Sequence, residues 1–377
     1  MAESSTATVT QWFSARAGLA AVGVRLRQLD LFGPIRQQVR IAQKRVKYAP
    51  SEKLYDAFIA ILAGAHGLVE VNTRLRSDRA LQHAFGRAGC AEQSVVQDTL
   101  DACTAENVAQ LEQALDTIYR RHSRGYRHDY AAGWQVLDVD MSGLPCGPKA
   151  AFATKGYFAK QRNRRGRQLG RVVASRYDEI VVDRLFDGKT QLSAALQPLV
   201  LAAEHTLELD EARRQRTILR VDAAGGSLAD VLALTRQPHP AGDDAAAVAL
   251  ADVYFYDQRS GGCETANKGS KQGLGLTKRN KRRFAAQQML MLLGTLAYNV
   301  LSWGRAWLSP RCPHLARYGM LRFVRDVGHI SGFLLVDGTG RIGAIVLNQA
   351  APLAAGLAGA LDTLLADDGV AVSLGQT

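Results

Sequence analysis

The hydrophobic positions of the first 130 residues recur at helical spacing. Apolar residues between Ser51 and Glu70 fall on one helical face, and shorter stretches with the same spacing begin near Ser94 and Thr104. We therefore predict that residues 1–130 form a mostly helical domain. Because arginines connect these helices, two interpretations stay open: a helix-turn-helix-like DNA-binding module and a plain helical bundle. The connecting arginines are Arg74, Arg76, Arg79 and Arg87.

After residue 130 the pattern changes to short runs rich in β-branched residues. Trp134–Met141 predicts a strand that ends in acids, and Leu169–Phe186 predicts a β-hairpin that turns near Asp178. Gln191–Leu209 has the apolar rows of a strong helix, and Thr217–Asp222 predicts a further strand. The predicted order is therefore three strands, one helix and a fourth strand.

The last part of the chain, residues 307–377, predicts a small α/β tail. Short apolar segments predict strands at Leu321–Arg325, Gly332–Val336 and Arg341–Leu347, and small residues predict a helix over Pro352–Leu365. Because this tail has no cluster of acids or metal ligands, we assign it no chemistry.

The charge of the chain favours a polyanionic partner. Lysines and arginines number 47 against 35 acids, so the formal net charge is +12. Cations that neutralise phosphates release counterions and give salt-dependent affinity for nucleic acid. Many proteins are moderately basic without binding DNA, but here cations cluster in two dense runs between predicted elements. The predicted DNA-contacting residues of these runs are Arg162, Arg164, Arg165, Arg167, Lys278, Arg279, Lys281, Arg282 and Arg283.

Cysteine usage and hydropathy predict the compartment. The five cysteines lack the paired spacing of a zinc site or a disulfide framework, which fits a reducing cytosol. The chain begins without a cationic and apolar signal region. The longest apolar stretch, Met289–Trp303, is too short and too interrupted to span a bilayer. We expect a soluble, cytoplasmic protein without a membrane partner.

Three acids have the order and setting of a two-metal site. Asp140 and Asp222 each end an apolar run, and Glu264 follows on a predicted helix. Carboxylates at such sites hold two cations that activate the attacking oxygen and stabilise the leaving oxygen of a phosphoryl transfer. Asp138 would point to the same face of a strand as Asp140, so it is the alternative first ligand. A single aspartate at a strand end is usually a turn residue, so the prediction depends on all three acids together.

Three more residues of the Glu264 helix could contact phosphate: Tyr256, Arg259 and Lys271. At about 100° per residue, they share with the glutamate one arc of about 140° on a continuous helix. The carboxylate can then face a metal while the cations face phosphate groups. The alternative is an ordinary amphipathic helix with a solvated face, and two adjacent glycines before Glu264 would allow a kink.

This pattern resembles the DDE transposases of bacterial insertion sequences, which have a ribonuclease-H-like catalytic core. The signature of that group reads Tyr-x2-Arg-x3-Glu-x6-Lys. This chain has Tyr256-x2-Arg259-x4-Glu264-x6-Lys271, one residue longer between the arginine and the glutamate.

The resemblance implies the fold, the cofactor and the partner. Residues 131–306 would form an α/β core: a ribonuclease-H-like mixed sheet with flanking helices, in which strand one lies beside strand four. The first acid of the family precedes a small or hydroxylated turn residue, which matches Asp140 rather than Asp138. The cofactor would be two Mg²⁺ ions, for which Mn²⁺ can substitute. The partner would be double-stranded DNA, as transposon ends and as target.

The chain departs from the family between the second and third acids. Asp140 and Asp222 are 82 positions apart, whereas Asp222 and Glu264 are only 42 apart. Related transposases place a fifth core strand and a β-rich insertion in this interval. Residues 223–255 here predict a short helix, a loop and the start of the Glu264 helix. We therefore expect a shortened core with an open sheet edge, which would make the protein prone to associate.

These features favour a transposase that cleaves DNA and joins a DNA 3′ end to a target in a Mg²⁺-dependent reaction. Two alternatives stay open: a metal-dependent nuclease on the same core, and a shortened, inactive remnant that only binds DNA. The sequence specifies neither the DNA sequence recognised nor the oligomeric state, for which a homodimer is one option.

Overall fold

The computed structural model describes residues 9–44, 47–156, 158, 161, 163–221 and 262–376. Within them the chain is mixed α/β with two mixed sheets. The strands are β1 (Thr10–Ser14), β2 (Gln135–Pro145), β3 (Thr154–Lys155), β4 (Arg165–Ala174), β5 (Glu179–Asp187), β6 (Thr217–Val221), β7 (Gly332–Val336), β8 (Ile342–Asn348) and β9 (Ala371–Gly375). The helices are α1 (Ala17–Gln28), α2 (Gly33–Gln38), α3 (Pro50–Leu62), α4 (Arg79–Ala84), α5 (Gln93–Asp101), α6 (Ala105–His122), α7 (Leu192–Leu207), α8 (Glu211–Arg214), α9 (Gly262–Lys268), α10 (Phe284–Leu308), α11 (Met320–Phe323) and α12 (Ala354–Leu365).

The chain divides into two compact units. The first unit combines residues 1–114, 269–279 and 296–377, and the second combines residues 115–268 and 280–295. This division differs from the three consecutive segments expected from the sequence. The reason is that β1 pairs antiparallel with β7, from Thr10 opposite Val336 to Ser14 opposite Gly332. The two ends of the chain therefore share one sheet.

β2 lies at the centre of the sheet in the second unit. It pairs antiparallel with β4 and parallel with β6, while β4 pairs on its other side with β5 and the short β3. Buried β-branched residues such as Val139, Val172 and Val182 favour these extended segments. The three predicted strands, the helix and the fourth strand correspond to β2, β4, β5, α7 and β6, and β6 lies beside β2. The short β3 and α8 were not predicted. The strand predicted to end in acids at Met141 continues to Pro145, so Asp140 lies within the strand and not at its end.

The predicted hairpin is also confirmed. β4 and β5 are antiparallel neighbours, and the turn between them ends at Asp178, whose φ of 54° lies in the left-handed region. Aspartate adopts this conformation more readily than most residues because its short polar side chain bonds locally. The helix predicted after the hairpin is α7, which begins one residue and ends two residues inside the predicted range.

α7 packs against one face of this sheet, and α9 packs against β2 and β4. A Cβ at Gly170 would lie 2.7 Å from Leu199 Cδ1 and 3.1 Å from Met141 Sδ, so glycine allows the close approach of α7 to the strand. Because neighbouring residues of a strand point to opposite faces, Asp140 points away from α7. The acids of β2 therefore lie on the face that α9 contacts.

The sheet of the first unit has the order β1, β7, β8, β9, with a parallel pairing between β8 and β9. α1 packs against β7 and β8, and α12 packs against β9. The predicted strands at β7 and β8 and the predicted helix at α12 are confirmed, whereas β1 and β9 were not predicted. The strand predicted at Leu321–Arg325 is wrong, because the chain there forms α11 and the π-helical turn Val324–Gly328. A short apolar run fits either element by periodicity alone.

α10 is long and apolar enough, by length and composition, to cross a membrane. However, 89% of its most apolar window is buried inside the protein. Such burial is typical of the core helix of a globular protein. The expectation that the apolar stretch is too short to span a bilayer is wrong, because the helix continues beyond Met289–Trp303 at both ends, from Phe284 to Leu308.

Candidate active site

The two acids of β2 lie on one face of the strand but have different partners. Asp138 is buried, and its carboxylate receives two hydrogen bonds from Arg220 on β6, at 2.6 Å from Nε to Oδ1 and 3.0 Å from Nη2 to Oδ2. The hydroxyl of Ser175 also donates to Oδ2. The carboxylate of Asp138 thus holds β2 against β6, which favours Asp140 as the first ligand.

Asp140 is half-buried, and both of its carboxylate oxygens accept hydrogen bonds. The backbone N–H of Met141 donates to Oδ1 at 2.7 Å, and Asn267 on α9 donates from Nδ2 to Oδ2 at 2.9 Å. These bonds therefore set the direction in which Asp140 presents its charge.

α9 brings Glu264 to the neighbourhood of Asp140. Cys263 and Asn267 lie one turn apart and face β2, where the Cys263 thiol donates to the carbonyl of Asp138 at 3.2 Å. Glu264 is exposed and lies about 60° around the helix from Asn267. Residues three apart are neighbours on a helix surface, so the glutamate lies next to the residue that holds Asp140.

Burial, together with the two acids of β2, keeps the thiol of α9 in its neutral form. Burial is the main cause that raises the pKa of Cys263 far above its usual value, and Asp140 and Asp138 raise it further. The protonated thiol is the form that can donate to the carbonyl of Asp138. Cys263 is therefore a packing residue and a donor rather than a nucleophile.

A row of charges crosses the sheet on the face of Asp140. Arg171 on β4 is the register partner of Asp140, and Asp183 on β5 is the register partner of Arg171. The buried guanidinium of Arg171 donates to both oxygens of Asp183, at 2.7 and 2.6 Å, and Thr295 on α10 donates to Asp183 at 2.6 Å. Directly opposite residues of antiparallel strands point to the same face. A buried positive charge therefore lies next to Asp140.

Several predicted residues lie outside the described part of the chain: Arg162, Asp222, Tyr256, Arg259 and the shortened interval 223–255. The strand that leads to Asp222 is described. Val221, the last described residue of β6, pairs in parallel with Val139, which precedes Asp140. Within the described ranges, no group of three histidine, cysteine or acidic residues could hold a metal ion.

Asn267 is not among the residues that the sequence pattern singles out. It is buried, and its Oδ1 atom has no hydrogen-bond partner. The one available signal was its position three residues after Glu264 on the same helix. An unpartnered amide oxygen beside a carboxylate belongs to the hard oxygen donors that Mg²⁺ and Mn²⁺ prefer. In donor chemistry, Asp140 and Asn267 are therefore suited to a divalent cation, although they do not form a group of three ligands by themselves.

The two basic runs meet at one end of the sheet in the second unit. Arg164 and Arg165 lie at the start of β4, Arg282 and Arg283 precede α10, and all four are exposed. Arg167, in contrast, is buried, and its guanidinium donates to the backbone carbonyls of Ala151 (2.8 Å), Lys281 (3.0 Å) and Arg282 (3.0 Å). This placement corrects the expectation that it contacts DNA, because its donors join the two runs.

Two further predicted cations belong to the first unit and differ in exposure. Lys278 is exposed. Arg279 is buried, its Nη2 atom donates to the carbonyl of Ala65 at 2.9 Å, and burial lowers its pKa to about 9. Arg279 is therefore not a surface cation, in contrast to the expectation from the sequence.

The described helix α9, which contains Glu264, is not continuous as far as Lys271. It ends as an α-helix at Lys268 and is followed by the π-helical turn Gly269–Gly273. Because a π-helical turn bonds residues five apart instead of four, the rotation per residue changes before Lys271. The prediction that Glu264 and Lys271 lie on the same side of one continuous helix is therefore wrong in its premise, since the helix is not continuous between them.

Two of the four predicted basic connectors of the N-terminal helices have structural partners. Arg87 is buried and donates to Asp56 at 2.8 Å and to Glu52 at 2.6 Å. Arg74 donates to Glu70 and to the carbonyl of Ala63, whereas Arg76 and Arg79 are exposed. The helical-bundle interpretation accounts for the first two residues. DNA binding by this part of the chain stays a prediction.

Comparison of the chain with models of protein families, with curated proteins and with solved structures finds no match.

Proposed function

We propose that this protein is a DNA transposase of the insertion-sequence type with a ribonuclease-H-like core. The contact between Asn267 and Asp140 carries the proposal, because it brings the helix of Glu264 onto the strand of Asp140 across 127 positions of sequence. The parallel pairing of β2 with β6 supports it, since the residue before Asp222 lies beside the residue before Asp140.

In this proposal Asp140, Asp222 and Glu264 hold two divalent ions, Mg²⁺ or Mn²⁺. Such ions, when bound, activate the attacking oxygen and stabilise the leaving oxygen of a phosphoryl transfer. The two donors on Asp140 orient its carboxylate before DNA arrives. The buried pair of Asp138 and Arg220 keeps β2 against β6, and hence the first acid near the path to the second.

The reaction consists of two phosphoryl transfers. In the first, a water oxygen bonds to phosphorus while the bond to the 3′ oxygen breaks, and the proton lost by water balances the proton gained by the 3′-hydroxyl. In the second, that hydroxyl oxygen bonds to a target phosphorus while a target 3′ oxygen leaves. A nuclease on the same core would stop after the first transfer, and a DNA-binding remnant would perform neither.

The exposed arginines at the end of the sheet supply the DNA contacts in this proposal. Asn280, next to the second basic run, donates to the carbonyl of Pro145 at the end of β2. Five residues of strand separate Asp140 from Pro145, which corresponds to about 17 Å. Duplex DNA presents about ten phosphate charges over that length. One short duplex could thus contact both the arginines and the acids, with Tyr256, Arg259 and Lys271 proposed near the scissile phosphate.

We place this activity in the cytoplasm, with double-stranded DNA as the partner. The five cysteines are all free and buried, which supports a reducing compartment.

Replacing either described acid tests the proposal. D140N and E264Q should each lower Mg²⁺-dependent nicking of supercoiled plasmid by on the order of a thousandfold, the size typical of losses from a catalytic unit. DNA binding in a gel-shift assay should persist, because the arginines are unchanged. E211Q, which alters an exposed acid of α8 in the same unit, is the matched control and should nick at the parent rate.

A D140N variant that nicks at the parent rate would contradict the assignment. An unmodified protein that binds DNA but never nicks it in Mg²⁺ or Mn²⁺ would instead favour the remnant. Joining of pre-cleaved DNA ends to a target plasmid separates the transposase from the nuclease.

A further inference from the structure

The orientation of the Asn267 side chain follows from its partner. The Asp140 carboxylate, when ionised, can only accept hydrogen bonds, so the amide NH₂ group of Asn267 must face it, at 2.9 Å. The amide oxygen must then point elsewhere. This oxygen is buried and has no hydrogen-bond partner. Buried acceptors in folded proteins almost always have a donor or bind an ion, so an unpartnered one calls for an explanation.

We infer that Asn267 supplies an amide oxygen to the divalent cation held by Asp140 and Glu264. The inference rests on the proposed function, and it adds a neutral oxygen donor that lies outside the Tyr, Arg, Glu and Lys signature. Asn267 donates to Asp140 and follows Glu264 by three residues on the same helix, so it is a neighbour of Glu264 on the helix surface. Amide oxygens are ordinary ligands of hard divalent cations.

A purely structural role for Asn267 has a different consequence. If Asn267 only donated to Asp140, burial of its amide oxygen without a partner would cost stability with no benefit. Any residue that kept the donor would then support Asp140 equally well. If the oxygen meets the cation, then the amide both orients one acid and completes the ligand set. The two roles predict opposite effects of an aspartate at this position, because aspartate has no donor for Asp140 but adds a charged oxygen for the cation.

The experiment measures Mn²⁺ binding to the full-length, metal-free protein by electron paramagnetic resonance of unbound Mn²⁺. N267A should weaken Mn²⁺ affinity by about tenfold or more, the loss typical of removing a group that supports a metal site. N267D should bind Mn²⁺ at least as tightly as the unmodified protein. Mn²⁺ should also raise the melting temperature of N267D by more than it raises that of the unmodified protein. T265A, on the exposed side of the same helix, is the matched control and should leave the affinity within about twofold.

Equal Mn²⁺ affinity of N267A and the unmodified protein would overturn the inference and leave the proposed function intact. Loss of Mn²⁺ binding in N267D would also overturn it, because that result fits a residue needed only as a donor. Absence of Mn²⁺ binding by the unmodified protein would overturn the proposed metal site, and this inference with it. If N267A does not fold, N267D alone decides between the two roles. Its Mn²⁺ affinity should be kept or raised if Asn267 is a cation ligand, and lost if Asn267 is only a donor to Asp140.

Discussion

Two aspartates on the same face of one strand differ in what their carboxylates contact. Asp138 is paired with Arg220 in a nearly dry environment, with side-chain exposures of 3% and 10%. Breaking such a buried pair by removing one partner costs about 3–5 kcal/mol, because the other charge stays buried. D138A and R220M should therefore lower the free energy of unfolding by similar amounts in urea titrations.

The same two variants separate a structural acid from a metal ligand. Both should leave Mn²⁺ affinity close to that of the unmodified protein at a temperature where they are folded. A loss of affinity in D138A that R220M does not share would show that Asp138, rather than Asp140, is the ligand.

His329 in the first unit makes stability depend on pH. Burial lowers its pKa, the hydrogen bond between its Nε2 atom and the carbonyl of Ala63 at 3.1 Å opposes part of this shift, and the charges of Arg16 and Arg74 lower the pKa further. The unfolded chain takes up a proton near pH 6.5, while the folded chain resists it. Stability is therefore full above about pH 6.5 and falls as the pH drops through the lowered pKa.

We expect the urea midpoint to be lower at about pH 5.5 than at about pH 7.5, and H329Q to reduce this difference. Glutamine keeps a donor for the Ala63 carbonyl but does not titrate. The pKa of His66 is also lowered by burial, so His66 likewise makes the protein less stable as the pH falls. H329Q should therefore remove only part of the pH dependence. An unchanged pH dependence in H329Q would assign the effect to other groups.

At the scale of elements, periodicity predicts those that bury one clear face. The hairpin of β4 and β5, the helix α7 and the strands β6, β7 and β8 all have strong apolar patterns, and all are confirmed. β1 and β9 are short, and their pairing depends on partners far away in sequence, which local pattern does not reveal. The π-helical turn after α9 is likewise set by packing rather than by periodicity.

The acids proposed for the candidate site can be picked out in the sequence, whereas the residues that contact them cannot. Asp140 and Glu264 have acidic side chains at recognisable positions, whereas Asn267 is one polar residue among many on helices. Arg167 shows a related limit: a run of arginines looks the same whether one of its members is exposed or buried. Only the three backbone carbonyls around its guanidinium distinguish it.

The joined basic runs predict a measurable change in salt dependence. R282A/R283A should lower the slope of log affinity against log salt by about 1.8, since each lost phosphate contact removes roughly 0.9. R311A/R317A, which removes two exposed arginines of the first unit, is the matched control and should change the slope less. Equal slopes for both double variants would show that Arg282 and Arg283 do not contact DNA.

At the scale of the whole molecule, the first unit depends on strands from both ends of the chain. Val372 on β9 is buried opposite Ile345, whereas its neighbour Ser373 is exposed. A charged residue at the buried position costs several kcal/mol unless it is paired. In hydrogen-exchange mass spectrometry, V372D should lose protection in β7, β8 and the distant β1, and S373D should not. Protection lost only in β9 would show that the strands unfold separately.

The pairing of β1 with β7 has a consequence for how the protein is made. Thr10 leaves the ribosome long before its partner Val336 exists. At typical rates of synthesis, about 5–20 residues per second, the first strand waits between about 15 and 65 seconds. During this time its backbone donors and acceptors are open to any other edge in the cell. We therefore expect β1 to be the part of the nascent chain most exposed to wrong pairing until residue 336 is made.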